Sequence, residues 1–429
     1  MSNASGRKVS VVLFFCALRT GHFGQKTFVD RVISFFREDP GIDITIIHTD
    51  STASRELTIV KEDGITNLLV PAPENKMHIN ALQDQFQKKY AHRLLDILFP
   101  YVRNLPNVVF WVNSIDYLNV CVAIRERFEN VQLLYVHHAW SWKGFINMAD
   151  QEFARHWKKG NNAISPGAFE MTGYQQKIAS LADRIITVTA HASTYFEEVL
   201  GIHARKLRLI YNGIDTEREI ARDKKALKHK YGIGEQEQLI IFAGRLTKEK
   251  GAYCIVDAFN LVAQRHSNSR LLVIGDGEIA KCLSRAASNW SRISFTGEIT
   301  HEQVQELYSI AAIGVQPSLI EQCSFTALEM ALYHLPMLVS NDIGLNEMFR
   351  DGIDALMVGV KYDTEGIKYL DPEEIADKLI YLLENPSVAE TLGERAYDRV
   401  SQKFNIQQMR RGYMDTIETF SNSFEPAGI

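Results

Sequence analysis

At 429 residues the chain is too long for one typical hydrophobic core and requires two domains of about 200 residues each. An apolar share of 46% and a charged share of 23% are those of an ordinary globular protein, and a net charge of -5 removes any general electrostatic reason to expect nucleic-acid binding. The five cysteines, Cys16, Cys121, Cys254, Cys282 and Cys323, are scattered and never form a C-x-x-C pair, which argues against a disulfide framework or zinc site and fits the cytoplasm.

The first predicted element is a strand over residues 8–15, continuously apolar as a strand buried on both faces must be. The apolar run to residue 18 is about half a membrane span, and residues 1–4 lack the charged and apolar regions of a signal peptide. Gly21 and Gly24 mark a turn before a helical face made by Phe28, Val29, Ile33 and Phe36. Gly24 either brings backbone close to a ligand or is a plain turn glycine. A strand over 43–48, a helix over 79–98, a strand over 107–113, a helix over 117–128 and a strand over 131–136 follow. Strands alternating with helices imply a parallel sheet covered on both sides.

His137 and His138 come directly after one such strand, where open α/β sheets bind ligands, although a structural histidine is the commoner occupant of such a place. Residues 144–181 have the character of an insertion. Its cluster of Arg155, Trp157, Lys158 and Lys159 fits a solvated helix face better than a lipid surface, and leaves peripheral membrane contact through this half as the second reading. Ser193 is the expected N-cap of a helix. Asn212-Gly213 signals a turn, and the charged stretch over 216–230 places the domain boundary near 216.

The second half restarts the pattern with strands over 238–243, 271–274, 293–296, 313–316 and 337–340, and the chain ends on an amphipathic helix over 405–420. After the first of these strands, Arg245 and Lys250 stand in a loop bracketed by Gly244 and Gly251. Two cations beside helix N-terminal amides suit a diphosphate, because they put fixed positive charge where a leaving group gathers negative charge. Residues 275–280 satisfy G-x-G-x-x-A, and Glu298 imitates the ribose-binding acid of a dinucleotide fold. That fingerprint belongs to the first βα unit of its domain, however, and here it opens the second, so a nicotinamide dehydrogenase is not expected. No D-x-D triplet occurs to hold a divalent metal on a nucleotide diphosphate, and the hydrolase elbow and P-loop motifs are absent. Glu321 in a loop and Glu329 in the next helix flank Cys323, Ser324 and Phe325, whose backbone amides would open that helix. Amides suit a phosphate, and carboxylates suit sugar hydroxyls.

In order and spacing, five elements resemble the retaining glycosyltransferases of family 4, among them glycogen synthases and phosphatidylinositol mannosyltransferases. These elements are Tyr211-Asn-Gly-Ile-Asp, the loop Gly244 to Gly251, Ile274-Gly-Asp-Gly, Phe295-Thr-Gly with Pro317-Ser, and Glu321-x7-Glu329. The resemblance covers nearly the whole chain. It implies a GT-B fold, with two Rossmann-like α/β/α domains facing across a cleft. Residues 1–215, joined by a last helix over about 405–429, would take the acceptor, and residues 216–404 the donor. It further implies transfer of a hexose-type sugar from a UDP- or GDP-linked donor to an acceptor glycan, lipid or peptide, without a metal or other cofactor. Arg245 and Lys250 would hold the diphosphate, Glu329 the ribose and Glu321 the donor-sugar hydroxyls. Gly24, Gly244, Gly275 and Gly297 would line the donor together with the amides of Ser324, Phe325 and Thr326. His137, with His138 as alternate, would face the sugar. A donor phosphate oxygen would take the acceptor proton. The chain departs from the family in carrying Cys323-Ser324 for Phe-Gly, His334 for the glycine before Leu-Pro, and Phe23 for the first glycine of the N-terminal loop. A sugar-nucleotide 2-epimerase and a non-catalytic partner subunit of the same fold are the competing readings.

Overall fold

The structure, a computed structural model, describes residues 8–15, 24–51, 56–71, 81–146, 148–217 and 223–424. Gly21 and Phe23 of the N-terminal glycine loop lie outside the described residues. The chain divides into two compact units: Met1–Ile146 with His156–Ile210 and Met409–Ile429, and Asn147–Arg155 with Tyr211–Gln408. The boundary therefore falls at Tyr211 rather than near 216, and the last helix, Ile406–Ser423, changes unit at Met409. Residues 147–155, inside the expected N-terminal insertion, group with the second unit.

Unit 1 is built on eight strands: β1 (Val9–Phe15), β2 (Ile42–Ser51), β3 (Thr58–Glu62), β4 (Ile65–Pro71), β5 (Val108–Val112), β6 (Gln132–His137), β7 (Arg184–Thr187) and β8 (Leu207–Leu209). They lie in the order β3-β4-β2-β1-β5-β6-β7-β8. All neighbours are parallel except β3 and β4, which form an antiparallel hairpin. The central β5, Val-Val-Phe-Trp-Val, is buried at every position, as a strand covered on both faces must be. Tyr413 of the last helix packs its ring 5.9 Å from Phe28 and 6.0 Å from Trp111, so the final segment completes this core.

Unit 2 holds β9 (Gln238–Ala243), β10 (Ser269–Ile274), β11 (Ile293–Gly297), β12 (Ile313–Gln316), β13 (Met337–Ser340) and β14 (Leu356–Val358), all parallel in the order β11-β10-β9-β12-β13-β14. The chain runs outward from β9 through β10 to β11, then returns to β12 on the other side. Loops leaving β9 and β12 thus diverge from adjacent strands, and the crevice between such loops is where open α/β sheets bind ligands. No helix among the described residues is long and apolar enough to cross a membrane.

One local expectation differs from the structure, and one departure from the family finds its reason there. The helix Ala190–Glu198 is capped by Thr189, whose extended backbone lets its Oγ accept from Ala192 N at 3.2 Å; Ser193 lies inside that helix. His334 holds the left-handed end of helix Phe325–Leu332 at φ 56, a place where glycine is favoured. Its ring stacks on Tyr397 with centroids 4.2 Å apart, a contact that glycine could not make and that offsets the backbone cost.

Candidate active site

The loops after β9 and β12 are locked to each other by backbone. Leu319 N donates to Glu249 O at 2.7 Å. Gly251, at φ 77, sits so close to Pro317 that a Cβ would meet the Pro317 carbonyl oxygen at 2.0 Å. A side chain at 251 would force the two loops apart, so the glycine is what brings Lys250 to its partner. Lys250 Nζ reaches Glu321 Oε2 at 2.7 Å, with the side chains 21% and 11% exposed. The pair is desolvated enough to matter electrostatically and open enough for a ligand to displace either partner.

Glu321 is held from behind. Its side-chain oxygens also receive Ser318 Oγ at 3.4 Å and Gln322 N at 3.3 Å, and its backbone N donates to Asp342 Oδ2 at 2.9 Å. The other oxygen of Asp342 pairs with Lys368 Nζ at 3.3 Å, and both side chains are almost fully buried, at 2% and 3% exposure. Neither Asp342 nor Lys368 shows in the sequence pattern, because an ion pair between residues in separate turns carries no local periodicity.

Arg245 is exposed, and among the described residues its guanidinium has no hydrogen-bond or ion-pair partner. Behind it, Leu246 is clamped by Leu246 N to Asp276 O and Glu278 N to Leu246 O, both at 2.8 Å. Gly244 N donates to Ile274 O and Gly275 N to Gly297 O, each at 3.0 Å, so Gly244, Gly275 and Gly297 stand side by side along the carboxyl edge of β9, β10 and β11. A Cβ on Gly275 would meet Gly244 O at 2.0 Å, which explains the glycine there without any dinucleotide fingerprint.

The helix Phe325–Leu332 starts beside Glu321. Ser324 caps it, its Oγ accepting from Ala327 N at 3.3 Å, while the Ser324 N–H is turned to Met348 Sδ at 3.3 Å. The amides of Phe325 and Thr326 are therefore the ones at the helix opening, and Ser324 contributes a cap rather than a facing N–H. Cys323 and Ser324 are both buried, so the side chains that replace Phe-Gly point inward. The Cys323 carbonyl accepts from Asn212 Nδ2 at 2.8 Å, and burial pushes its thiol up to about 12. That contact gives Asn212 of Tyr211-Asn-Gly-Ile-Asp a structural task at the site. Glu329, one turn into the helix and half-buried, shares a face with Phe325. Burial, with the Glu329 charge added to it, drives the Tyr308 phenol well above its usual range.

In unit 1, Gly24 is the first residue of the helix Gly24–Arg37. His137 ends β6 at 1% exposure among Trp140, Phe196 and Tyr135, with Nδ1 2.9 Å from Gln175 Nε2 and a buried Nε2 that has no partner. Burial, then the neighbouring His138 and Lys143, lower its pKa to about 3; burial lowers His138 to about 4. Both imidazoles are neutral at physiological pH.

Two family models match the chain, "Glycosyltransferase Family 4" over residues 24–218 and "Glycosyl transferases group 1" over residues 223–399. The chain belongs to this glycosyltransferase family. An uncharacterized glycosyltransferase of Methanocaldococcus jannaschii is 24% identical over 57% of this chain and 61% of its own length. Sucrose-phosphate synthase from Thermosynechococcus elongatus superposes with a TM-score of 0.75 at 16% identity, covering 97% of this chain and all of that one. Anabaena HepE, solved with UDP and glucose, gives 0.67 at 16% identity, covering 95% of this chain and 99% of its own. The fold is thus of the GT-B class, as the family resemblance implied.

Proposed function

We propose that this protein is a retaining glycosyltransferase that moves a hexose-type sugar from a UDP- or GDP-linked donor to an acceptor glycan, lipid or peptide, with no metal in the transfer step. The observation that carries this reading is the Lys250–Glu321 pair at the crevice between β9 and β12, beside an exposed Arg245 and the opening of helix Phe325–Leu332. A donor entering there offers each partner a better match. Its diphosphate takes Lys250 and Arg245, and its hydroxyls take Glu321, which exchanges one charge-assisted contact for several. The helix-opening amides of Phe325 and Thr326 add donors for phosphate oxygens. In this reading Glu329 accepts from ribose hydroxyls, and the nucleoside lies along the side-chain-free edge of Gly244, Gly275 and Gly297.

In the transfer itself, the bond from the anomeric carbon to the diphosphate breaks. The new bond to the acceptor oxygen forms on the same face, and the acceptor proton passes to a donor phosphate oxygen. Arg245 and Lys250 stabilise the charge that gathers on the leaving group. His137, neutral by burial, offers a substrate a hydrogen bond and not a charge.

Thermal-shift measurements with UDP, GDP and ADP and their sugars test the reading, with UDP first because a protein of the same fold, Anabaena HepE, is described with UDP. The expected result is stabilisation by one nucleotide and slow release of free sugar from its donor. No stabilisation by any nucleotide would sink the enzyme reading, and a donor recovered as its epimer would overturn transfer in favour of epimerisation.

A further inference from the structure

Unit 2 gathers four cations around a second cavity whose lining shares no residue with the Lys250–Glu321 site. The helix Pro386–Lys403 carries Arg395, Arg399 and Lys403 at successive intervals of four residues, stacking three positive charges on one face. Like charges at that spacing destabilise a helix unless something opposes them. Arg350, just past the helix Ile343–Met348, comes to the same place. With Ile353, Asp398 and Gln402, these residues line a cavity of about 350 Å³.

Within the protein the opposition is incomplete. Asp354, whose side chain is fully buried, takes Arg350 Nε at 2.6 Å and lies 3.8 Å from Arg399 Nε. Arg399 is otherwise fixed by donating to the backbone carbonyls of Met348 and, at 3.0 Å, Glu347. Lys403 Nζ rests over the Tyr211 ring at 4.6 Å and the Phe404 ring at 5.4 Å. Arg395 has no hydrogen-bond or ion-pair partner among the described residues. Among the described residues, Asp354, Asp398 and, acting on Lys403, Glu347 are the acids that oppose the four cations. Burial lowers the pKa of Arg399 and of Lys403; Asp354 opposes the shift at Arg399 while Arg350 adds to it, and at Lys403 Arg399 adds to it while Glu347 opposes it.

We propose that this cavity binds a phosphomonoester. The excess of cations over acids, with Arg395 unpartnered among the described residues, favours a group that carries about two negative charges at neutral pH. Guanidinium forks held by carbonyls and a buried carboxylate are pre-set for bidentate contact with its oxygens. The cavity is half-open, so the phosphate is gripped while the group esterified to it projects outward.

The test is calorimetric titration of the full-length protein with glycerol 2-phosphate, alongside flotation with phosphatidylcholine vesicles containing or lacking phosphatidic acid. Wild type and Lys250→Gln are expected to bind equally, and Arg395→Gln to bind at least about tenfold more weakly with an unchanged melting temperature. Binding of the soluble ester identifies a metabolite-type ligand, and binding confined to phosphatidic-acid vesicles identifies a lipid headgroup. Either, if it depends on Arg395, supports the site. Binding that survives Arg395→Gln, binding lost in Lys250→Gln, or no binding to either probe overturns it. Because the Lys250→Gln arm removes a donor-site cation, failure here is separable from failure of the donor assignment.

Discussion

At the carboxyl ends of β9 and β12, Lys250 and Glu321 form an ion pair beside an Arg245 unpartnered among the described residues, whereas at the carboxyl end of β6 His137 is neutral and keeps one buried nitrogen without a partner. Lys250 and Glu321 keep 21% and 11% of their side chains exposed, and His137 keeps 1%. Both sets of residues lie at the carboxyl ends of parallel strands, and they differ in solvent access. A pair that water can reach keeps its charges and can trade partners with a ligand. An imidazole sealed under Trp140 and Phe196 gives up its charge and is left with one directional nitrogen. The crevice in unit 2 thus offers charges that can exchange partners, and the end of β6 in unit 1 offers a neutral group.

The largest expected effect comes from removing the charge that is exchanged. Lys250→Ala or Glu329→Ala is expected to lower donor turnover by about a thousandfold, the scale of losing a preorganised electrostatic contact. Circular dichroism should be unchanged, because neither side chain belongs to the apolar core. Donor-hydrolysis assays decide this, and wild-type turnover in either variant would mean that the donor site is misplaced.

Next in size is the support behind Glu321. Lys368→Met leaves the Asp342 carboxylate buried without its cation, a change that costs about 3–5 kcal/mol. Urea denaturation should show that loss, and Asp342→Asn combined with Lys368→Met should recover much of it, since no buried charge then lacks a partner. If the double variant is no more stable than the single, Lys368 is not what neutralises Asp342.

Most of the strand order's raw material is visible in the sequence, because buried parallel strands are unbroken apolar runs: β1, β5, β6 and β9 all show it. The hairpin of β3 and β4 is not found that way, since β3 is a largely exposed edge strand. Its signal is instead the pair Asp63-Gly64, which turns with φ values of 50 and 80, the left-handed pair that a two-residue hairpin demands. At the site, Arg245, Lys250 and Glu321 are legible because glycines and strand ends bracket them. Lys368 and Asp342 are not, because their meeting is a product of tertiary structure. The Arg395, Arg399 and Lys403 row is legible in retrospect, as like charges at a spacing that a helix alone disfavours.

The buried histidine predicts a pH effect whose sign follows from its shift. His137 in the folded protein has its pKa lowered from 6.5 to about 3, so between these values the unfolded chain binds the proton that the folded chain refuses. Stability is fully present above the unfolded pKa and is lost as pH falls from 6.5 towards 3. Between pH 7 and pH 5 this one residue should account for about 2 kcal/mol. His137→Gln should shrink the difference in unfolding free energy between those two pH values by about that amount, whatever it does to stability at neutral pH. An unchanged slope would mean that His137 is hydrated and titrates normally.

The smallest effect concerns Ser324, where the family commonly has glycine. Its hydroxyl caps the helix Phe325–Leu332 by accepting from Ala327 N, and its N–H goes to Met348. Ser324→Ala removes the first contact only and should cost about 1 kcal/mol, while Ser324→Gly should cost a few tenths, in keeping with the tolerance of caps for glycine. Because the Ser324 side chain is buried and its hydroxyl is committed to Ala327 N, neither change should alter which nucleotide sugar is turned over. A donor preference that switches in Ser324→Gly would show that the hydroxyl reaches the sugar, and would make the serine a determinant of specificity and not only a cap. If preference holds while stability falls in the order glycine then alanine, the site's selectivity rests with the exchangeable charges of Lys250 and Glu321, and the serine serves only to hold the helix in place beneath them.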